Sequence, residues 1–377
     1  MLITIISFIV ILSVLVLVHE LGHFLAARKF GAKAEEFGLG FPPRLIGWYK
    51  STSGKWKTVF GNKEVTDAAD TVYTLNTIPL GGFVKIKGED GENKADNTSF
   101  ANKPIWQRSI ILSAGVVMNV ILAAVIISFN LLVGATQPIE GVPLKGAIVR
   151  DRHIAVNSVV VDSPAAQAGV QPGDRIISVD NNEISSTEFL QNYVGERSGQ
   201  VVAYTFVRDT ETITKEITPI TLEETSRGGI GITISENAFV RFPWYLAIYE
   251  GMKTTGYYLW LIITGFVDLL TRLVTGGGVS ADIAGPVGIA VLTGQVADMG
   301  FPYLLQFAAL LSLNLAVINI LPIPALDGGR ILFVIIEKIK GRPAKQETEA
   351  LIHNIGFMLL IGLIILVTFK DIKNLFN

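Results

Sequence analysis

Four long runs, in which apolar residues follow one another almost without relief, divide the chain. Leu2 to about Ala27, Ser109 to about Ala135, Tyr303 to Leu321 and Leu351 to Phe369 each supply roughly the 20 apolar residues that a helix needs to cross a bilayer. The third run ends in the proline-broken stretch NILPIPALDGG. Between the first two runs, residues 57–60 and 71–87 alternate as strands do. The longer reads TVYTLNTIPLGGFVKIK, where Pro79 and the Gly81-Gly82 pair predict a kinked or hairpinned ribbon. Such a ribbon enters a membrane only where helices shield its edges.

Residues 158–184, SVVVDSPAAQAGVQPGDRIISVDNNEI, predict a strand, a Ser-Pro helix start, a glycine stop at Gly169, a turn at 171–174, a second strand and an Asn-Asn turn. A helix over Thr187–Val194 and strands over Val201–Val207 and Thr212–Ile217 follow. This order resembles a PDZ domain. PDZ domains capture chain ends at a glycine-bearing loop beside a strand edge. A literal GLGF stands at Gly38–Phe41, far from these elements, and the resemblance instead points to Gly229, Ile230, Gly231 and Ile232 as the ligand loop of a permuted PDZ domain.

Further on, Tyr245, Tyr249, Met252, Gly256, Leu259, Ile263, Phe266, Leu270 and Leu273 recur at spacings of three and four, with Glu250, Lys253, Asp268 and Arg272 off that stripe. The pattern predicts an amphipathic helix lying on a membrane surface, ended by the glycines at 276–278. Its uninterrupted apolar core, Tyr257–Val267, is short for crossing. The predicted protein is therefore an α-helical polytopic membrane protein with four transmembrane helices, a membrane-associated β-ribbon and an inserted α+β domain. Its expected parts are a first span at 1–30, a ribbon-bearing loop at 31–104, a second span at 105–135, the PDZ-like domain at 147–235, the interfacial helix at 244–275, a third span with its LDG stretch at 303–341, and a fourth at 351–370.

Composition agrees: half of the 377 residues are hydrophobic, 17% are charged, and the mean hydropathy is +0.47. A net charge of −2 offers no basic field for nucleic acid. The absence of cysteine removes disulfides, thiolate ligands and a cysteine nucleophile. No Lys or Arg precedes the first run, so it reads as a span rather than a cleavable signal. Arg28, Lys29, Lys33, Arg44, Lys50, Lys55 and Lys57 follow that run, and Arg330, Lys338, Lys340, Arg342 and Lys345 lie between the third and fourth. By the positive-inside bias both loops are cytoplasmic, with both termini and the PDZ-like domain outside, although Lys370 and Lys373 pull weakly the other way.

Two histidines and a glutamate interrupt the first span at HELGH. An ionisable group at bilayer depth costs roughly 2.5–3.5 kcal/mol even on the lenient scale, so function must compensate for it. His19 and His23 at i and i+4 share one helix face and suit zinc, while Glu20 can take a proton from a water there. Neither His153 nor His353 has a partner histidine or adjacent acid, and both read as surface or interfacial residues. The third ligand must then be a carboxylate, and Asp327 lies at the matching depth, at the cytoplasmic end of the third span.

HELGH, the N-x-x-P-x-P-x-L-D-G pattern from Asn319 to Gly328, IPLGGFVKIKGED and a PDZ domain between spans two and three together resemble the site-2 protease family of zinc intramembrane proteases, in its bacterial RseP and RasP type. The resemblance covers nearly the whole chain. It implies Zn2+ on His19, His23 and Asp327 with Glu20 as the acid-base group, a ribbon (Gly81, Gly82, Phe83, Val84) that pairs with substrate as an added strand, and Asn314 and Asn319 holding unwound substrate backbone. It also implies an inner or plasma membrane enzyme acting near the cytoplasmic side on single-pass membrane proteins such as anti-sigma factors or remnant signal peptides, and the placement of the PDZ-like domain suggests a gate that admits them only after an upstream protease has trimmed them. The second span keeps the family's G-x-x-x-N as Gly115 and Asn119 but lacks the usual proline, and there is room for one PDZ domain rather than two. Glycines at 328 and 329 are expected to let the backbone turn tightly beside Asp327. A metal transporter and a membrane-tethered PDZ scaffold are the alternatives. A transporter would still move metal, and a scaffold would keep its function, after replacement of Glu20.

Overall fold

The computed structural model describes residues 2–92, 95–139, 144–184, 186–208, 210–221, 227–275 and 285–376. The chain divides into two compact units, one of residues 1–128 with 249–377 and one of residues 129–248. Four helices in the described residues are long and apolar enough to cross a membrane: α1 (Leu2–Lys29), α2 (Ile105–Val133), α7 (Phe301–Ile320) and α9 (Gln346–Phe376). The protein is a polytopic membrane protein with an inserted α+β unit.

In the larger unit α1 leads directly into a three-stranded sheet of β1 (Ala34–Lys50), β2 (Trp56–Phe60) and β3 (Val72–Ile86), in the order β2-β1-β3. Both long strands double back, so that Gly38 is flanked by Thr74 on one side and Phe83 on the other. The expected ribbon is therefore present and folded at Pro79–Gly81, where Gly81 has a φ of +73°. The GLGF stretch is not a ligand loop but part of β1, a strand absent from the sequence-based expectation.

The fold of the ribbon lies against α1. The Ser13 hydroxyl donates to the carbonyl of Pro79 (2.9 Å) and accepts the N–H of Gly81 (3.3 Å), satisfying two backbone groups that a membrane cannot. A Cβ on Gly81 would fall 2.7 Å from Val16, and one on Gly82 3.0 Å from both Leu17 and the carbonyl of Gly38, so both glycines are needed for close approach.

The expected single element at 303–341 is two helices. After α7 the chain leaves helical geometry at Leu321, because Pro322 and Pro324 supply no N–H and crowd the preceding turn. It restarts as α8 (Asp327–Lys340), which ends at Gly341 in the left-handed region. Arg108 of α2 holds α8 through a bidentate pair with Glu337 at 3.0 and 2.6 Å. A further helix, α6 (Pro286–Met299), was not expected; it is too short to span and packs on α1, where Gly294 lies against Thr4. Its N-terminal N–H groups at Gly285 and Gly288 donate to Asp371 of α9 at 3.2 and 2.7 Å. Asp371→Ala removes both acceptors from a buried helix start, and by analogy with lost N-caps costs about 1–2 kcal/mol. A melting temperature in detergent equal to wild type would refute this.

The smaller unit carries a sheet in the order β4-β12-β5-β6-β8-β9, with β7 beside β6. Its strands are β4 (Ala135–Pro138), β5 (Ile148–Val159), β6 (Arg175–Val179), β7 (Asn182–Glu183), β8 (Val202–Arg208), β9 (Glu211–Ile217) and β12 (Ile232–Arg241). A short pair, β10 (Ile220–Thr221) with β11 (Gly228–Gly229), stands beside it. Ser163 caps α3 (Pro164–Gln167) by accepting the N–H of Ala166, and Ser186 caps α4 (Thr187–Gly195) by accepting that of Phe189. Val156, Ile176, Leu190, Tyr204 and Phe206 are among its buried core residues. The sheet runs beyond the expected 147–235 at both ends, because β4 and the second half of β12 pair with each other.

The expected amphipathic helix is α5 (Trp244–Thr275), which is not one of the four spans and exposes Tyr245, Tyr249, Met252, Ile263 and Leu270. The glycines expected to end it lie outside the described residues.

Candidate metal centre

His19 and His23 project from the same face of α1, and the first residue of α8, Asp327, meets them from 308 positions later in the chain. The Oδ2 of Asp327 lies 2.9 Å from His19 Nε2 and 3.2 Å from His23 Nε2, and the two nitrogens are 3.2 Å apart. These are the only described His, Cys, Asp or Glu side chains that converge in this way. Zinc bound at about 2.0–2.1 Å in a tetrahedron separates its ligand atoms by roughly 3.3 Å, so this triangle fits the ion with little adjustment. The chemistry fits as well, since three lone-pair atoms brought together in a buried place repel unless a cation or protons lie between them.

The groups behind the imidazoles set which nitrogen faces inward. His23 Nδ1–H donates to the carbonyl of Ile111 in α2 at 2.8 Å, leaving Nε2 free to ligate. Behind His19 stands Asn119, fully buried, with its amide 3.3 Å from Nδ1 and its Oδ1 without a partner among the described residues. Oxygen and nitrogen of an amide exchange places by a half-turn. With Oδ1 toward the ring it accepts Nδ1–H and gives His19 the same tautomer as His23. Ser312 of α7 fixes that part of α2 by donating to the backbone carbonyl of Asn119 at 2.8 Å.

Glycines clear the space. A Cβ on Gly115 would lie 2.4 Å from His23 Nε2 and 2.6 Å from the ring of His19; one on Gly22 would lie 2.4 Å from the carbonyl of Ala114, which is how closely α1 and α2 cross. Gly328 and Gly329 lie just as close to the carbonyls of Leu321 and Ile323. Their role differs from the expected one. Neither has a positive φ, and the left-handed residue of this turn is Ala325, at +75°.

Glu20 is partly exposed at the same level, within electrostatic reach of both histidines and Asp327 and of the backbone N–H of Val84 in the ribbon. Asn319 also points in, with its amide 3.3 Å from His19 Nε2. Asn314 donates to the carbonyl of Leu310 on its own helix at 2.9 Å. Phe83 and Val84 pair with Gly38 and Phe37 in the folded ribbon, whose backbone at Gly81 and Gly82 runs along Val16 and Leu17, next to the HELGH turn. Arg330, one turn past Asp327, forms an ion pair with Glu89 at the end of the ribbon and so ties β3 to α8. His353, expected at a surface or interface, is partly exposed and accepts the N–H of Ala325 at 2.9 Å.

In the smaller unit, Gly229 pairs in β11, while the carbonyls of Ile230 and Gly231 accept from Ala165 and Val160; Ile232 opens β12 opposite Val159. Gly231 has a φ of +78° and packs on Ser163. The four residues thus close the loop onto the start of α3.

A model of peptidase family M50 matches residues 7–62 and 57–363. The chain is 32% identical to a protein of Agrobacterium fabrum named as a zinc metalloprotease, over 98% of this chain and 96% of that one. It is 34% identical to another so named from Clostridium perfringens, over 96% of each, and 30% identical to the regulator of sigma-W protease RasP of Bacillus subtilis, over 99% of each. Among solved structures, the PDZ domain of an SdrC-like protein of Listeria monocytogenes is 26% identical and covers 22% of this chain and 86% of that one, with a TM-score of 0.21. With a family match over most of its length, full-length zinc metalloprotease relatives, and HELGH meeting Asp327, this chain belongs to peptidase family M50, the zinc metallopeptidases of the site-2 protease type.

Proposed function

We propose that this zinc metalloprotease cuts peptide bonds inside the membrane-spanning segments of single-pass membrane proteins, with zinc on His19, His23 and Asp327 and Glu20 as the general acid-base group. The observation that carries this reading is the position of the cluster: its two histidines lie within the apolar span Thr4–Lys29, and its carboxylate opens the helix that follows the span Phe301–Ile320. Zinc bound there supplies Lewis-acid activation of water and of the scissile carbonyl. Glu20 takes a proton from the attacking water at its carboxylate and returns it to the leaving amine nitrogen. His23 and His19 are held in ligating orientation by Ile111 and Asn119. The amide of Asn319 is at hand for a carbonyl oxygen that gains charge.

A helical substrate hides its carbonyls in its own hydrogen bonds, so it must unwind locally before it is cut. The outer limb of the ribbon, Gly82–Ile86, pairs with β1 along one edge. Its other edge offers backbone partners to the unwound segment, which lipid cannot supply. The test is cleavage of a tagged single-pass substrate by the purified protein in detergent, with the cut mapped by mass spectrometry. Cuts confined to soluble flanks would defeat the proposal.

The basic loops favour a plasma-membrane orientation with the PDZ domain and both termini outside and the centre near the cytoplasmic face. In that orientation α5 rests on the outer leaflet, and the PDZ domain stands on the side from which bulky outer domains approach. It then excludes anti-sigma factors, signal-peptide remnants or similar proteins until an upstream protease has trimmed them. Replacing residues 135–241, the whole sheet rather than its middle, by a flexible linker is expected to allow cleavage of untrimmed substrate at a rate approaching that of trimmed substrate. An unchanged preference for trimmed substrate counts against the gate.

A further inference from the structure

The last span carries a contact to the metal centre that neither zinc binding nor proton transfer uses. His353 of α9 accepts the N–H of Ala325 on its Nδ1 at 2.9 Å, and its ring packs 5.5 Å from that of Phe333 in α8. Ala325 is the residue of the LPIPALDGG turn with a φ of +75°, a region that an L side chain disfavours, and it lies two positions before Asp327. One turn further along α9, Gly356 lies against Pro324, where a Cβ would fall 2.4 Å from the proline Cβ and 2.9 Å from its carbonyl oxygen. Thus α9 grips both residues that precede Leu326 and the metal-facing carboxylate.

Two features show that this contact is needed by the turn rather than by the histidine. With Nδ1 accepting, Nε2 carries the ring proton, and Nε2 is buried without a partner among the described residues. A buried donor left unpaired is a standing cost, so the ring is kept for the bond that its other nitrogen makes. Conversely, the N–H of Ala325 lies in the helix-free turn just after Pro324, between the end of α7 and the start of α8, and among the described residues its acceptor is His353 Nδ1. Ala325 is exposed, so without His353 its N–H turns to whatever water reaches it, and the left-handed conformation loses a fixed anchor.

We propose that His353 is a positioning residue for Asp327: it locks the Pro324–Ala325 turn in the one conformation that delivers the carboxylate to His19 and His23. The proposal rests on Asp327 being the third ligand. Zinc affinity reads it out directly, without reference to turnover, by competition of the full-length, metal-stripped protein in detergent against a chromogenic chelator. His353→Leu, which keeps bulk and removes the acceptor, is expected to weaken zinc binding 10- to 100-fold, the range for lost outer-layer contacts. His353→Asn places a carbonyl oxygen near the Nδ1 position and is expected to stay within about threefold of wild type. Ala325→Gly, which adopts a positive φ without strain, is expected to shrink the loss caused by His353→Leu severalfold.

Wild-type affinity in His353→Leu, with a large loss in the Asp327→Asn control, would overturn the proposal and leave the ligand set intact. So would a His353→Asn variant as weak as His353→Leu, because a packing role is not rescued by an acceptor. Wild-type affinity in Asp327→Asn itself would remove the ligand assignment and this proposal with it.

Discussion

Glu20→Gln abolishes cleavage, lowering the rate by about 10²–10⁴-fold, the usual contribution of a positioned acid-base group, while zinc affinity stays within a fewfold of wild type. Glutamine keeps the size of the side chain but neither takes nor returns a proton. Because Glu20 is not one of the three converging side chains, its replacement leaves the metal triangle standing. The measurement is paired: cleavage of the tagged substrate, and zinc content after dialysis. Loss of both together would mean that Glu20 acts by holding the site in shape. Retention of cleavage would remove it from the chemistry and reopen the transport and scaffold alternatives.

Gly115→Ala is expected to lower zinc affinity by at least the 10- to 100-fold that outer-layer changes cause, because the new methyl group lands where His23 Nε2 and the ring of His19 now stand. The helices cannot simply part. At Gly22, α1 lies against the backbone of Ala114, next to Gly115, so relief has to come from the imidazoles. The same substitution favours the helix itself by up to about 1 kcal/mol. The signature is therefore a pair of opposite signs, with the metal-free protein melting no lower than wild type and the holoprotein losing its zinc-dependent stabilisation. A variant that binds zinc like wild type would show that α2 does not confine the ligands.

The spans and the three side chains that converge, His19, His23 and Asp327, were legible because a membrane imposes a strong pattern, and HELGH is conspicuous only against the apolar run that it interrupts. Asp327 was reachable by elimination and by depth. β1 was not legible: AEEFGLGFPPRLIGWYK has no alternation, two prolines and three glycines, and is a strand only because both limbs of β3 pair with it. α6 was hidden because its 14 residues, mostly apolar or small, show no stripe, and its start is capped by Asp371, 83 or more positions away. The break between α7 and α8 was written in Pro322 and Pro324, but the restart at Asp327 was not, since its fit depends on the carbonyls beneath Gly328 and Gly329. Asn314, carried over by resemblance, bonds to its own helix. His353 was read only as a surface or interfacial residue, because a bond to a backbone N–H leaves no trace in the identity of its partner.

The distance along the chain between His19 and Asp327 bears on how such an enzyme is made. On the proposed reading, α1 carries two ligands and the acid-base group, but the third ligand is synthesised 308 residues after His19, beyond the whole of the smaller unit. With Asp327 completing the ligand set, no nascent or prematurely terminated chain that stops short of that point can hold a working centre. On that reading the bilayer receives a hydrolase that stays unarmed until Asp327 has been made, and a frameshift upstream of that codon yields an inert fragment rather than an active protease.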